Sequence, residues 1–321
     1  MTSVTTALVT GVTGQDGGYL TERLLSEGVQ VHGLVQDADP GVASFSRAHQ
    51  DVVLHPGDLT DSDRVSAVVR EVAPDEIYNL GGFSSVALSW QQPVLAGAVS
   101  GLAVGGVLQA AWELAESTGR PVRVAQASSA EIFGTPPGSP QDEGTPIAPV
   151  TPYGAAKAYA HHLVGVYRQR GLHAVSLILY NHESPRRPPT FVTRKITSTV
   201  AAIARGEASE LVLGNLDARR DWGWAPDYMD AMVRAVRHSR ANDYIVATGV
   251  AHSVRDFVAA AFDHAGIDDW EHLVRTDPAF LRPAEAVEQV GNPARARDEL
   301  GWSPTVTFEQ LVARMVDADL P

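Results

Sequence analysis

A tyrosine followed four residues later by a lysine, in Tyr153-Gly154-Ala155-Ala156-Lys157, sets a phenol and an ammonium on one face of an expected helix. In that arrangement the ammonium is expected to lower the phenol pKa and to hold a nicotinamide ribose. Ser129 closes an expected strand nearby in sequence and adds a hydroxyl, which completes a hydride-transfer set. Glu131 is the unusual member. Oxidation of a sugar carbinol needs no extra carboxylate, whereas taking a proton from carbon and expelling water does. The four residues therefore point to elimination carried out on a dehydrogenase scaffold.

Such residues must be held by a regular framework, and the first half of the chain supplies one. Apolar strand-like runs at 6–10, 29–35, 52–54, 76–80, 122–127 and 174–180 alternate with helical patterns at 18–26, 61–72, 102–116 and 153–170. Alternation of this kind predicts an α/β Rossmann-type fold, a doubly wound parallel sheet with helices on both faces. Beyond Asn181 the texture changes to Pro- and Arg-rich loops, shorter elements and a helix at 253–265. Residues 1–180 are thus expected to form the dinucleotide domain. Residues 181–321 are expected to form mainly a smaller α/β substrate lobe, with some segments returning to the first. The run GLAVGGVLQAAWELAEST is apolar on more than one face, as deep packing or a helix-pair dimer contact would require.

The turn after the first strand reads Thr10-Gly11-Val12-Thr13-Gly14-Gln15-Asp16-Gly17, with glycines three apart at the opening of a helix. Absent side chains let backbone approach a pyrophosphate, and the helix N-terminus offers amide donors. Gly11, Thr13, Gly14, Gln15, Asp16 and Gly17 are accordingly cofactor candidates, joined by Asp58 and Leu59 beside the adenine. Gln36 and Asp37 end the second strand, where an adenosine ribose lies in this fold. A carboxylate there accepts a ribose hydroxyl and repels a 2′-phosphate, which favours NAD over NADP, although Arg47 can still fold back onto a phosphate.

Composition narrows the classes further. The 321 residues carry 25 Lys plus Arg against 38 Asp plus Glu, a formal charge of -13, which argues against nucleic acid or anionic membrane as partner. An anionic substrate then needs a local basic pocket. There is no cysteine, so disulfide and thiolate chemistry are excluded. No metal site is expected: His161 and His162 are adjacent on a helix and point about 100° apart. The opening residues lack a leader pattern and no later run is expected to reach the length of a membrane span, so a cytoplasmic protein is expected.

The motifs TGVTGQDGGYL, QASSAEIFG, TPYGAAKAYA, NHESPRRPPTFVTRKI and LGNLDARRDWG resemble the extended short-chain dehydrogenase/reductase superfamily and, within it, the GDP-mannose 4,6-dehydratase family. The resemblance runs through nearly the whole chain. It implies a tightly held, internally recycled NAD or NADP that takes hydride from carbon 4 of a hexose, with Tyr153 as base and Lys157 and Ser129 orienting. Glu131 would then take the carbon 5 proton and help expel the carbon 6 hydroxyl, after which hydride returns to carbon 6. It also implies that Asn181, Glu183, Arg187, Lys195, Arg220 and Arg282 surround a nucleotide diphosphate, with Phe83, Ser84 and Ser85 beside the sugar, and that the protein is a homodimer or homotetramer.

Four departures qualify these expectations. Gln36-Asp37 stands where the family carries an arginine pair, and the loop that follows is shorter. NLGGFSSV replaces the family's NLAAQSHV, Ala130 stands where the family has Ser, and Asn292 where it has Asp. They cluster at the ribose and the sugar, as expected of retained chemistry on GDP-mannose or on another nucleotide sugar or a nucleoside. A 4-epimerase or 4-keto reductase would use Ser129, Tyr153 and Lys157 without Glu131. A non-catalytic dinucleotide-binding protein is the remaining alternative.

Overall fold

The computed structural model describes residues 5–136, 138–280 and 288–320. The chain begins β1 (Thr6–Thr10), α1 (Gln15–Ser26), β2 (Gln30–Val35), α2 (Val42–Ala48), β3 (Val53–Pro56), α3 (Ser62–Val72) and β4 (Glu76–Asn79). It continues with α4 (Val86–Gln91), α5 (Pro93–Gly97), a π turn at Ala98–Leu102, α6 (Ala103–Thr118), β5 (Arg123–Ser129) and a 3-10 turn at Ala130–Phe133. Then come α7 (Pro152–Gln169), β6 (His173–Leu179), β7 (Asn181–Glu183), α8 (Val192–Ala204), β8 (Leu211–Leu213), β9 (Arg219–Trp224), α9 (Ala225–Arg237) and β10 (Asp243–Val246). The last elements are β11 (Ala251–Ser253), α10 (Val254–His264), β12 (Val274–Thr276), β13 (Glu288–Gln289), α11 (Ala294–Leu300) and α12 (Phe308–Asp317).

Among the described residues seven strands form one parallel sheet in the order β10-β6-β5-β4-β1-β2-β3. Its strands read as continuous apolar runs because both faces are covered. Ile77, Val124 and Ala174 pack with α3, α6 and α7, while their neighbours Tyr78, Ala125 and Val175 pack with α1 and α9. The chain winds outward from β1 to β3 and then restarts at β4 on the other side of β1. That reversal opens a crevice at the carboxyl ends of the strands, the place where this architecture takes ligands.

Residues 225–246 follow the first elements of the smaller unit and yet join the sheet, since β10 pairs with β6 and α9 lies on α1, β5 and β6. α11 also packs on β10 and α9, while β9 pairs with β7, β11 and β13 to form the sheet of the smaller unit. Trp222, Phe257, Phe262 and Met315 form part of its separate core with α8, α10 and α12.

Three local expectations change. The helix expected from Gly18 begins at Gln15, with Gly14 as its N-cap. The short helices α2, α4 and α5 were not anticipated, being broken by His49, by Gln92-Pro93 and by glycines. The expectation that no run reaches membrane-span length fails at Pro93–Thr118, a helical stretch of 26 residues long and apolar enough by composition. Half of its most apolar window is buried, because Val104, Val107, Leu108, Ala111 and Leu114 pack in the core shared with α3 and α7.

Candidate active site

The turn between β1 and α1 is closed so tightly that side chains are barred from it. Gly11 has φ +65°, and a Cβ there would stand 2.8 Å from the Gly81 nitrogen. A Cβ on Gly17 would stand 2.3 Å from the Gly11 carbonyl oxygen. Gly14 caps α1 in extended conformation with no side-chain hydrogen bond, so backbone amides face outward at the helix start. This is a cradle that fits a pyrophosphate. Thr13 donates to Asp39 at 2.5 Å, and Asp39 in turn accepts from the Gly41 amide at 2.8 Å. Asp39 is a residue that the sequence reading passed over.

Farther out, past the carboxyl ends of β2 and β3, Gln36 donates to Asp58 at 2.8 Å. Asp37 is exposed beside them, and Leu59 closes against Gly81, where a Cβ would lie 2.3 Å from its methyl. These four stand apart from the residues that gather for chemistry.

A cleft open to solvent lies beyond the ends of β1, β4, β5 and β6. Ser129, Glu131, Tyr153 and Lys157 line it, with Asp16 from the β1–α1 turn and Phe83, Ser84 and Ser85 from the segment after β4. Asn181, Glu183, Arg187 and Arg220 line its other side. Residues far apart in the sequence thus meet, since the parallel strands end on one edge and β9 of the second sheet brings Arg220 against it.

Local contacts explain how the chemical groups come together. Ser129 ends β5 and its hydroxyl accepts the Glu131 amide at 3.2 Å, turning the chain into the 3-10 segment. Thr151 caps α7 by accepting the Gly154 amide at 2.9 Å, with Pro152 at the first helical position. A Cβ on Gly154 would lie 2.5 Å from the Glu131 carbonyl oxygen, so a glycine lets α7 dock directly on that segment. Tyr153 is thereby fixed beside Ser129 and Glu131.

Burial, not the lysine, dominates the phenol. It pushes the Tyr153 pKa up to about 12; a hydrogen bond with Ser129 opposes the rise, the Glu131 charge adds to it, Arg187 opposes it and Asp16 adds to it. The expected lowering by Lys157 is not found. Lys157 is itself buried, which brings its ammonium down to about 8 with Asp16 partly restoring it. Its Nζ donates to the Ala127 carbonyl at 2.8 Å and stands 5.8 Å from the Tyr153 ring centre. The same carbonyl accepts from Gln126 at 2.8 Å, and Gln126 belongs to a ladder through Asn79 to Thr10 with bonds of 2.6 Å each. The lysine is therefore positioned from the floor of the sheet.

On the far wall, Arg187 lies 3.1 Å from Glu183 and 3.9 Å above the Phe191 ring. Thr193 donates to the same Glu183 carboxylate at 2.6 Å. Arg220 is buried on β9, with a guanidinium nitrogen 2.7 Å from the Arg219 carbonyl. Lys195 is not brought to the cleft lining; its Nζ sits 3.8 Å over the Phe280 ring. Arg282 lies outside the described residues. His161, adjacent to His162 on α7, is held 2.9 Å from the Ser176 hydroxyl.

His182 was missed altogether. It stands between the two predicted residues Asn181 and Glu183, and its ring reaches Asp16 at 2.9 Å across 166 positions. Only the pairing of β7 with β9 brings it there.

The family model for GDP-mannose 4,6 dehydratase matches residues 8–315 of the chain. The chain is 42% identical over 325 residues to GDP-mannose 4,6 dehydratase 2 of Arabidopsis thaliana, covering 98% of this chain and 86% of that one. It is 39% identical over 350 residues to GDP-mannose 4,6-dehydratase of Vibrio cholerae, covering 98% and 93%. Among solved structures it is similar to the UDP-glucose 4-epimerase of Thermus thermophilus in complex with NAD, with a TM-score of 0.85, 29% identity and 98% of both chains covered. The activity is that of a nucleotide-sugar 4,6-dehydratase, a hydro-lyase that uses a nicotinamide dinucleotide. Whole-length similarity, the glycine cradle and the assembled cleft agree, and the chain belongs to the GDP-mannose 4,6 dehydratase family.

Proposed function

We propose that Tyr153, Lys157, Ser129 and Glu131 carry out the dehydration in this cleft, on a GDP-mannose-type nucleotide sugar. The observation that carries the reading is the meeting of these four with Asn181, Arg187 and Arg220 in one cleft beside the dinucleotide turn. Tyr153, as its phenolate, takes the proton of the carbon 4 hydroxyl, with Ser129 hydrogen-bonded to its oxygen and Lys157 held on the Ala127 carbonyl to orient the bound ribose. A nicotinamide dinucleotide held at the β1–α1 turn and by Lys157 would supply the hydride acceptor for oxidation at carbon 4 and the hydride donor for reduction at carbon 6. Glu131 takes the carbon 5 proton, made acidic by the new ketone, and passes a proton to the departing carbon 6 hydroxyl, which leaves as water. Arg187 and Arg220 offer guanidinium groups to the diphosphate.

Asp16 and Glu183 also line the cleft, paired with His182 and Arg187 respectively. Glu131 sits on the turn that Ser129 starts and that α7 closes. Glu131→Gln is expected to lower product formation by roughly 10²- to 10⁴-fold while the first hydride transfer persists, seen as reduced-nicotinamide absorbance after mixing with GDP-mannose. Unchanged loss of water from the sugar would refute the assignment.

The dinucleotide is NAD in this reading. Exposed Asp37, with Asp39 and Asp58 nearby, sets carboxylates where a 2′-phosphate would need cations. Identification of the dinucleotide released on denaturation decides it. Trp90, Val94, Leu95, Leu102, Tyr159 and Val166 are exposed along α4 to α7, with Val94 at 85%, and this face suits a homodimer contact. Leu102→Glu should shift the mass measured by light scattering towards the monomer.

A further inference from the structure

The contacts of His182 determine its charge. Its Nδ1 lies 2.7 Å from the Tyr180 carbonyl and its Nε2 lies 2.9 Å from Asp16 Oδ2. A carbonyl and a carboxylate are both acceptors, so both ring nitrogens must carry protons, and the ring is an imidazolium. Asp16 meanwhile stands in the first turn of α1, where a carboxylate would repel the pyrophosphate that the cradle fits. Arg187 and Lys157 act on Asp16 only through space.

The same two segments are stitched by neutral bonds. Gln15 donates to the His182 carbonyl at 3.2 Å and to Asp16 at 3.0 Å, and Ser184 donates to Gln15 at 2.7 Å. The Tyr228 ring stacks on His182 at 4.7 Å between centroids, closing its other side. The first turn of the cofactor helix is therefore joined to the strand that carries Asn181 and Glu183 into the sugar cleft.

We propose that His182 is a positioning residue whose imidazolium cancels the Asp16 charge at the start of α1, so that the dinucleotide pyrophosphate can seat there, and that it thereby links cofactor binding to the substrate strand. This rests on the placement of the dinucleotide at the β1–α1 turn given above. Burial and Arg187 press the ring towards neutrality, yet Asp16 holds its pKa above the ordinary histidine value, and Asp16 itself is drawn down to about 2.

The test measures dinucleotide affinity on protein stripped of its cofactor, by titration with NAD⁺ and with NADP⁺. His182→Asn leaves the Asp16 charge uncancelled and should weaken binding by roughly 30-fold or more, as for a buried charge pair with one partner truncated. The double variant Asp16→Asn/His182→Asn should recover most of that loss. Wild-type affinity in His182→Asn, or a double variant no better than the single one, overturns the proposal. Should His182→Asn fail to fold, Asp16→Asn alone decides: binding as tight as wild type supports charge cancellation, and a loss beyond about 10-fold refutes it. Gly14→Asp separates the two layers, since it adds a carboxylate at the cradle in a conformation open to any residue. Unimpaired binding there would sink the cradle placement itself, whereas lost binding there with unaffected His182→Asn would sink only the role of His182.

Discussion

Replacing Gly154 by alanine sets two known effects against each other, and the geometry decides which wins. In an ordinary helix position the change stabilises by roughly 0.5–1 kcal/mol, because glycine loses more backbone entropy on folding. Here the new methyl would lie 2.5 Å from the Glu131 carbonyl oxygen and 3.2 Å from the Glu131 carbonyl carbon. The first distance falls about 1 Å short of ordinary non-bonded contact, and the opposing atom is backbone, which cannot rotate away. Overpacking of this kind costs about 1–3 kcal/mol, so the net effect is destabilising. Relief requires α7 to back off from the 3-10 turn, which moves Tyr153 away from Glu131 and Ser129. A shift near 1 Å in a reacting group costs on the order of 10²-fold in turnover. Gly165→Ala in the same helix is the control, since a Cβ there meets nothing within 4 Å in the chain. Thermal unfolding and steady-state dehydration of both variants should show Gly165→Ala unchanged or slightly stabilised and active, and Gly154→Ala less stable and nearly inactive. A Gly154→Ala protein as stable and active as wild type would refute the docking argument.

Lys157→Met should abolish turnover and yet raise stability by about 1–3 kcal/mol at neutral pH, because it removes a buried ammonium while Gln126 still satisfies the Ala127 carbonyl at 2.8 Å. The unfolded chain keeps the Lys157 proton up to 10.5 and the folded chain only to about 8, so in that window the unfolded state binds more protons. Wild-type stability should accordingly rise with pH from 8 to 10.5 relative to Lys157→Met, and denaturant midpoints that run parallel across this range would contradict the burial argument. Asn79→Leu interrupts the ladder between Thr10 and Gln126 and leaves the Thr10 hydroxyl proton without its acceptor and the buried Gln126 side-chain oxygen without its donor, which should cost about 2–4 kcal/mol in chemical denaturation. A neutral result would mean that the sheet floor does not depend on that ladder.

The sheet was legible because its strands carry short apolar runs between helices of clear period, as at Ala7-Leu8-Val9, where both faces are buried. Boundaries failed where sterics override propensity. Gly17 stands outside the helix expected at 18–26, yet α1 includes it, since a Cβ there would lie 2.3 Å from the Gly11 carbonyl oxygen and only glycine fits, and the helix gains its N-terminus by starting at Gln15. The helical stretch before α6 was hidden because Gln92-Pro93 reads as a stop, while the structure uses that proline at the first position of a new helix.

The candidate site divides along the same line. Tyr153 and Lys157 are neighbours by helical period, and Ser129 and Glu131 by a single turn, so their partnership could be read from the chain. His182 and Asp16 meet only through strand pairing in the second half, and no periodicity links positions 16 and 182. The ordinary rule that a nearby ammonium lowers a phenol pKa also proved too local. It omits the loss of hydration of the Tyr153 phenol at the start of α7, and that loss is the larger effect, lifting the phenol to about 12. A tyrosine so placed stays protonated at neutral pH unless the groups against it repay its desolvation. Within the chain the opposing influences are the Ser129 hydroxyl and the Arg187 charge, while Glu131 and Asp16 act the other way. Cancelling Asp16 with His182 therefore eases the burden on Tyr153 as well as on the cradle, and a single ion pair bears on both the cofactor turn and the base.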